Sequence, residues 1–317
     1  MELRTLRYFL VVAYEGNITH AAESLYLSQP SLTRQIQLLE EELGCKLFVR
    51  KRHSVELTPE GIELRSRAIE ALQIIEHIEQ DFAARDDKKI SGSVFVAAAE
   101  TAGMRTIARV AARIREQHPG IVIDLTTGDA FSVADRLDKG LADVAVFCEP
   151  ANVAKYYSRR LPESDTWGVL MRADDPLAQK ESVVSSDFAR RPCYISAQQR
   201  NTEHEINPFR AWMGRKRGQF KAAGTLDLVR NAAAMVAASG ELVLTFESIT
   251  GYTDDELVFR PLSPALKTGS FVAWKRGRTF SDAARLFIDT LKEELAGTAE
   301  PSDQKAPESE PAREAQS

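Results

Sequence analysis

Asn17–Gly61 reads NITHAAESLYLSQPSLTRQIQLLEEELGCKLFVRKRHSVELTPEG, and its punctuation decides the fold of the N-terminal part. Asn17 is a helix cap, with Ile18, Ala21, Ala22 and Leu25 following at helical spacing. The two small alanines let neighbouring helices approach closely. Tyr26-Leu27-Ser28 is long enough only for a turn. Ser28 caps the next helix, and Pro30 sits in its first turn, where the missing N–H costs nothing. Leu32, Ile36, Leu39 and Leu43 line an inward face, and Gly44 closes the helix. The pattern then changes. Leu47-Phe48-Val49 and Val55-Glu56-Leu57 are strand-like, with a basic loop Arg50–Ser54 between them, so this segment reads as a β-hairpin wing. Upstream, Leu3, Leu6, Phe9, Leu10 and Ala13 define one face of an opening helix that Gly16 ends.

The helix that follows Ser28 offers Ser28, Gln29, Pro30, Ser31, Thr33 and Arg34 from its first turns. A helix that reads DNA puts such residues on base edges in the major groove. Gln29 can pair bidentately with adenine, while Pro30 and the Thr33 methyl can touch a thymine methyl. Ser31 and Arg34 suit phosphates, which set position without reading sequence. Arg50, Lys51 and Arg52 on the wing would reach the flanking backbone or minor groove. The formal net charge of −5 does not oppose this. Lys46, Arg50, Lys51, Arg52 and His53 run together without an acid, and charge at the contact face governs DNA affinity.

Thr58-Pro59-Glu60-Gly61 opens a long helix to about Arg85, with Leu64, Ala68, Ala71, Ile75, Ile78 and Phe82 alternating at spacings of four and three. That heptad seam predicts a dimer coiled coil in preference to packing on its own domain. Asp86-Asp87-Lys88-Lys89 reads as a charged hinge. Beyond Ser91 strands and helices alternate. Strands are predicted at 94–98, 121–125, 144–147, 167–171, 193–196, 242–246 and 271–274. Helices are predicted at 107–117, 133–140, 207–214, 226–238 and 281–295. This βαβ order implies mainly parallel sheets with helices on both faces. Residues 297–317 carry five acids and three prolines and read as a disordered acidic tail. Cys45, Cys148 and Cys193 are scattered and form no CxxC pair, which fits a reducing compartment and small buried hydrophobes. The opening residues lack a signal-peptide pattern and no apolar run spans a bilayer, so a cytoplasmic location is expected.

Ala21-Ala22, Leu25, Ser28-Gln29-Pro30-Ser31, Gln35-Ile36, Leu39-Glu40, Leu43-Gly44, Leu47-Phe48, Arg50 and Leu57-Thr58-Pro59-Glu60-Gly61 together resemble the winged helix-turn-helix of LysR-type transcriptional regulators. Asn17 and Thr33 stand where that family most often has Ser, and both keep the capping or hydroxyl chemistry. The resemblance implies a multi-domain chain: an all-α winged helix-turn-helix with a long linker helix, then a two-lobed α/β sensor similar to type 2 periplasmic binding proteins. The implied boundaries are 1–58 for the DNA-binding domain, 59–89 for the linker (dimerisation) helix and 90–296 for the effector-binding domain. Lobe one would hold 91–162 and 268–296, and lobe two 163–267. The family implies a homotetramer, a dimer of dimers, that binds and bends double-stranded promoter DNA under control of a small-molecule co-inducer. RNA polymerase is a further candidate partner. A simple repressor of another helix-turn-helix class is the alternative.

Ligands in such sheets lie at the carboxyl ends of strands, where helix N-termini meet the cleft. That rule selects Glu100, Thr101, Thr127, Gly128, Asp129, Ser196, Thr245 and Phe246. Two carboxylates in the set, Glu100 and Asp129, suggest an amine-bearing effector; the competing reading is that both only cap helices. Ser239 and Glu241 depart from the Gly-Leu-Gly usual for the family near that loop. The five histidines are spread over all regions, and no HExxH, GxSxG, P-loop or dinucleotide fingerprint occurs. Glu203-His204-Glu205 is a lone triplet. No enzymatic activity, cofactor or metal is expected.

Overall fold

The computed structural model describes all residues except 53, 84–89, 189–190, 197–207, 216–219, 251–255 and 299–317. The expected hinge at 86–89, His53, the triplet at 203–205 and residues 299–317 of the expected tail lie outside the described residues. The chain divides into two compact units, Met1–Arg85 and Asp86–Ser317.

In the first unit α1 (Leu3–Glu15), α2 (Ile18–Ser24) and α3 (Gln29–Leu43) precede the hairpin β1 (Phe48–Arg50) and β2 (Val55–Leu57), and α4 (Pro59–Ala83) follows. The expected punctuation is present. Gly16 and Gly44 end their helices in the left-handed region. The Asn17 side chain accepts from the Thr19 and His20 N–H groups, and Ser28 Oγ accepts from Ser31 N–H. Phe9, Val12, Ala21, Ala22, Leu32, Ile36, Leu39, Leu47, Phe48 and Val55 form one core. Leu3 and Leu43, expected inward, are instead exposed at 46% and 40%. Both sit at the outer ends of their helices, where no neighbouring element covers them.

The α4 seam divides. Leu64 packs on the core, and Ala68 and Leu72 are buried. Leu72 was outside the expected seam; α4 packs on α1, and its buried side chains run at steps of four through Leu64, Ala68 and Leu72. Ile74, Ile78 and Phe82 remain 37%, 50% and 60% exposed.

The second unit holds two mixed sheets. One runs β4-β3-β5-β13-β6, with strands Ile121–Thr127, Gly92–Ala98, Val144–Cys148, Ser270–Lys275 and Tyr156–Arg160. The other runs β11-β7-β10-β8-β9, with strands Leu257–Pro261, Asp165–Arg172, Leu242–Phe246, Pro192–Ser196 and Lys221–Leu226; the short β12 (Lys267–Thr268) pairs with β7. The expectation of mainly parallel sheets needs correction. β3 is parallel to β4 and β5, and β8 to β9 and β10, but β7 and β13 are antiparallel to every strand they pair with. The cause is topological. β7 and β13 carry the chain from one sheet to the other and enter each sheet against its βαβ units. Helices α5 (Met104–Gln117) and Asp282–Thr298 cover one face of the first sheet and α6 (Ala130–Lys139) the other. The helix Asp282–Thr298 runs past residue 297, where the tail was expected to begin. In the second sheet the helix Val229–Ser239 covers one face, and Phe188, Phe209 and Met213 pack on the other.

Candidate DNA-reading face and ligand cleft

Ser28, Gln29, Pro30, Ser31 and Arg34 are exposed, and Thr33 is half-buried at the base of the same turn. Gln29 Nε2 donates to Thr33 Oγ1 at 3.0 Å, one helical turn on, which holds both side chains in a fixed relation. The turn before α3 is tight. Tyr26 sits at φ 55°, a left-handed conformation unusual for a non-glycine residue, and its ring is 97% exposed. Leu27 N–H bonds Ala22 O at 2.9 Å across that turn.

Arg50, Lys51 and Arg52 are exposed on the hairpin. Lys51 Nζ reaches Glu56 at 2.5 Å, and Lys46 Nζ reaches Glu40 at 2.6 Å. Among the described residues Arg50 and Arg52 have no carboxylate partner, so they are the wing cations left for an external anion.

Glu40 has a role that sequence reasoning missed. It is 8% exposed, and Oε1 accepts from Leu47 N–H at 2.9 Å and Phe48 N–H at 3.3 Å. Burial alone would push this carboxyl up, but Lys46 and the two N–H groups together hold it below its ordinary value. Glu40 thus ties α3 to the first strand of the wing. Gly61 does matching work below. A Cβ there would lie 2.2 Å from Leu47 O and 2.9 Å from Leu57 Cδ2, so only glycine lets α4 start against the hairpin.

In the second unit the expected ligand residues divide into groups. Thr127 and Gly128 line a cavity of about 240 Å³ with Thr126, Ser132, Val133, Asp135 and Arg136, all from the first sheet's lobe. Asp129 caps α6, accepting from Ser132 N–H at 2.8 Å. Thr101 is buried, and its hydroxyl donates to Asp165 at 2.5 Å. Asp165 was not singled out from the sequence. It opens β7, is 1% exposed, and also accepts from Ala102 N–H at 3.0 Å and from the Ser248 hydroxyl. One carboxylate therefore binds the start of α5, the crossing strand and the segment after β10. Its signal in the sequence is only an acid at a strand start.

Glu100 reaches furthest. It follows β3 in one lobe, and its Oε2 accepts from the N–H of Val229 in the other lobe at 3.2 Å. Strand alternation separates Thr245 from Phe246. Phe246 pairs with Trp167 and packs edge-on against it at 4.5 Å, on the face away from the helix Val229–Ser239. Thr245 pairs with Gly168 on the helix-covered face, and among the described residues its buried hydroxyl has no partner. Ser196 ends β8 and is half-buried; Ala197 and Gln198 beside it lie outside the described residues. Burial pushes the Cys148 thiol up to about 12 and raises Cys193 further, so neither supplies a thiolate at neutral pH. Among the described residues there is no metal-ligand cluster, and no helix is long and apolar enough to cross a membrane.

An exposed polar helix start and a basic hairpin in one unit, followed by a two-sheet α/β unit whose lobes meet through Glu100 and Asp165, define the class of DNA-binding regulators that carry a ligand-binding domain. Residues 3–62 match the family described as bacterial regulatory helix-turn-helix protein, lysR family, and residues 87–296 match the LysR substrate binding domain. The chain belongs to the LysR family of transcriptional regulators. It is 35% identical over 150 residues to the transcriptional activator IlvY of Salmonella typhimurium, an alignment covering 47% of this chain and half the length of that relative. It is 26% identical over 309 residues to the Hca operon transcriptional activator HcaR of Escherichia coli, covering 93% of this chain and 99% of HcaR. The crystal structure of CbnR, a LysR family transcriptional regulator, superposes with a TM-score of 0.75 at 18% identity, over 93% of this chain and 99% of that one. CbnR in complex with its target DNA gives 0.72. These relatives are regulators rather than enzymes, and the alternative of another helix-turn-helix class gains no support.

Proposed function

We propose that the chain binds specific double-stranded promoter DNA as a dimer of dimers and that a small molecule in the cleft alters how it holds that DNA. The observation that carries the reading is the exposed turn Ser28–Arg34 flanked by the unpartnered Arg50 and Arg52. Gln29, Pro30 and Thr33 would read base edges, while Ser28, Ser31, Arg34, Arg50, Lys51 and Arg52 would hold phosphates or the adjacent minor groove. The apolar side chains Ile74, Ile78 and Phe82 would join a second copy, giving the two-fold symmetry that paired half-sites about 34 Å apart require. Bending a site costs several kcal/mol, so a ligand that favours one assembly shape can switch promoter geometry. RNA polymerase would be the partner that senses the switch.

The cleft set is Glu100, Thr101, Thr127, Gly128, Asp129, Ser196 and Thr245; Phe246 supports it from the opposite sheet face. The expected amine-bearing effector has less to hold than the sequence suggested. Glu100 and Asp129 both already accept backbone N–H bonds at helix starts. A gel-shift titration against the DNA upstream of the chain's own gene tests the DNA reading. Gln29→Ala should weaken binding to that site by about 1–3 kcal/mol and leave random duplex alone. Arg52→Ala should weaken both and lower the salt slope by about one. Equal loss on both duplexes from Gln29→Ala would refute the base-reading role.

A further inference from the structure

The helix Val229–Ser239 begins without a cap of its own. Leu228 stands at the capping position, no side chain within the segment satisfies the first N–H groups, and its first turn holds no acid. Its N-terminus carries partial positive charge, as any helix start does. The parallel strands β8, β9 and β10 place that N-terminus at their carboxyl ends, since a crossover helix runs antiparallel to the strands it joins. Thr245 lies at the same end, on the sheet face the helix covers. It is only 4% exposed, and among the described residues its Oγ1 has no hydrogen-bond partner. A buried hydroxyl without a partner is destabilising, so it marks a place where a further group can bond. N–H groups with no cap from their own segment and an unused hydroxyl, at one end of one sheet face, are the donors a carboxylate requires. In this structure the carboxylate that enters is Glu100, from the opposite lobe, and among the described residues it bonds Val229 N–H alone.

We propose that Glu100 is a tethered occupant of an anion subsite in lobe two, and that a carboxylate-bearing effector displaces it. The inference rests on the cleft being the effector site and names the class of ligand it takes. Without effector, the Glu100 carboxylate straps the two lobes together across the cleft mouth. An incoming carboxylate takes over Val229 N–H, adds the Thr245 hydroxyl that Glu100 leaves unused, and releases the strap. Asp165 still joins the lobes at the hinge through Thr101, Ala102 and Ser248, so the lobes change their angle rather than separate. The second acid of the set plays no part, because Asp129 is spent on α6 within its own lobe.

The test compares the full-length wild type with Glu100→Gln and Thr245→Val. Hydrogen exchange of the peptide spanning residues 227–236 reads the strap directly. In the unliganded protein Glu100→Gln should speed exchange there about tenfold, the loss expected of a charge-assisted bond, and Thr245→Val should not. Succinate, titrated by calorimetry, is the anion probe, and putrescine the cation probe. Succinate should bind Glu100→Gln about tenfold more tightly than wild type and should lose affinity in Thr245→Val. Unchanged exchange in Glu100→Gln would overturn the strap. Equal succinate affinity in wild type and Glu100→Gln, or no binding to either, would overturn the displacement. Putrescine binding that Glu100→Gln abolishes would return the cleft to a cationic ligand. Failure of both probes alongside faster exchange would leave the strap standing and remove the effector reading beneath it.

Discussion

Replacing Glu40 tests whether the wing is held to the recognition helix by one buried carboxylate. Glu40→Ala leaves the Leu47 and Phe48 N–H groups, both in buried residues, without their acceptor. Each orphaned donor costs about 1–2 kcal/mol. The Lys46 pair adds little, about 0.5 kcal/mol, because Lys46 is 75% exposed. The total is about 2.5–4.5 kcal/mol, a large fraction of what holds a small domain. Glu40→Gln keeps the one oxygen that accepts from both N–H groups and loses only the charge that faces them and Lys46, so it should cost well under half as much. All three tryptophans lie in the second unit, so tryptophan fluorescence would miss the event. Native-state hydrogen exchange of the peptide Leu47–Leu57 reads it instead. The pH dependence has a defined sign. The folded carboxyl is held below its ordinary value, so its contribution is complete above about pH 4.3, the unfolded value, and is lost as pH falls through the folded one. The gap between wild type and Glu40→Gln should therefore hold at neutral pH and close only in acid. An alanine variant within about 0.5 kcal/mol of wild type would refute the tie.

Two further predictions follow from single contacts. Gly61→Ala should destabilise the first unit by about 1–3 kcal/mol, because the Leu47 carbonyl 2.2 Å from the new Cβ is backbone and cannot swing aside; an unshifted calorimetric melt of that unit would contradict this. Asp175 is gripped by Arg191 through two bonds, which holds its carboxyl below the usual range against the opposing effect of burial, with Leu177 N–H adding to the grip. Asp175→Asn should cost the second unit about 2–3 kcal/mol at neutral pH, a difference that shrinks as acid protonates the wild-type group, and urea unfolding followed by tryptophan fluorescence measures it.

The first unit was legible because its signals are local. Asn17, Ser28, Gly16 and Gly44 sit within four residues of the groups they serve, and the apolar spacing of Leu32, Ile36 and Leu39 needs no distant partner to be read. The same locality limits what α4 shows in sequence. A stripe does not record where packing on its own unit ends, and here Ala68 and Leu72 are buried while Ile78 and Phe82 are exposed. In the second unit the strands between 156 and 160, 221 and 226, and 257 and 261 went unread. Lys221–Leu226 and Tyr156–Arg160 lack the apolar runs that mark interior strands. The antiparallel crossing strands differ from βαβ strands only in direction, which composition does not encode.

The acids of the cleft show a different kind of limit. Glu100 and Asp129 were placed correctly near helix starts, and their charge suggested a cationic ligand. A carboxylate that awaits an amine and one that already serves a backbone N–H carry the same charge on the same side chain. They differ only in what stands opposite. For Asp129 that partner is three residues away, and the capping alternative could be named from the sequence. For Glu100 it is 129 residues away, at a helix whose own capping position holds a leucine. Leu228 was therefore the missing clue. A helix start with no acceptor in its own segment leaves its N–H groups open to one from elsewhere, and here the chain supplies it from the opposite lobe.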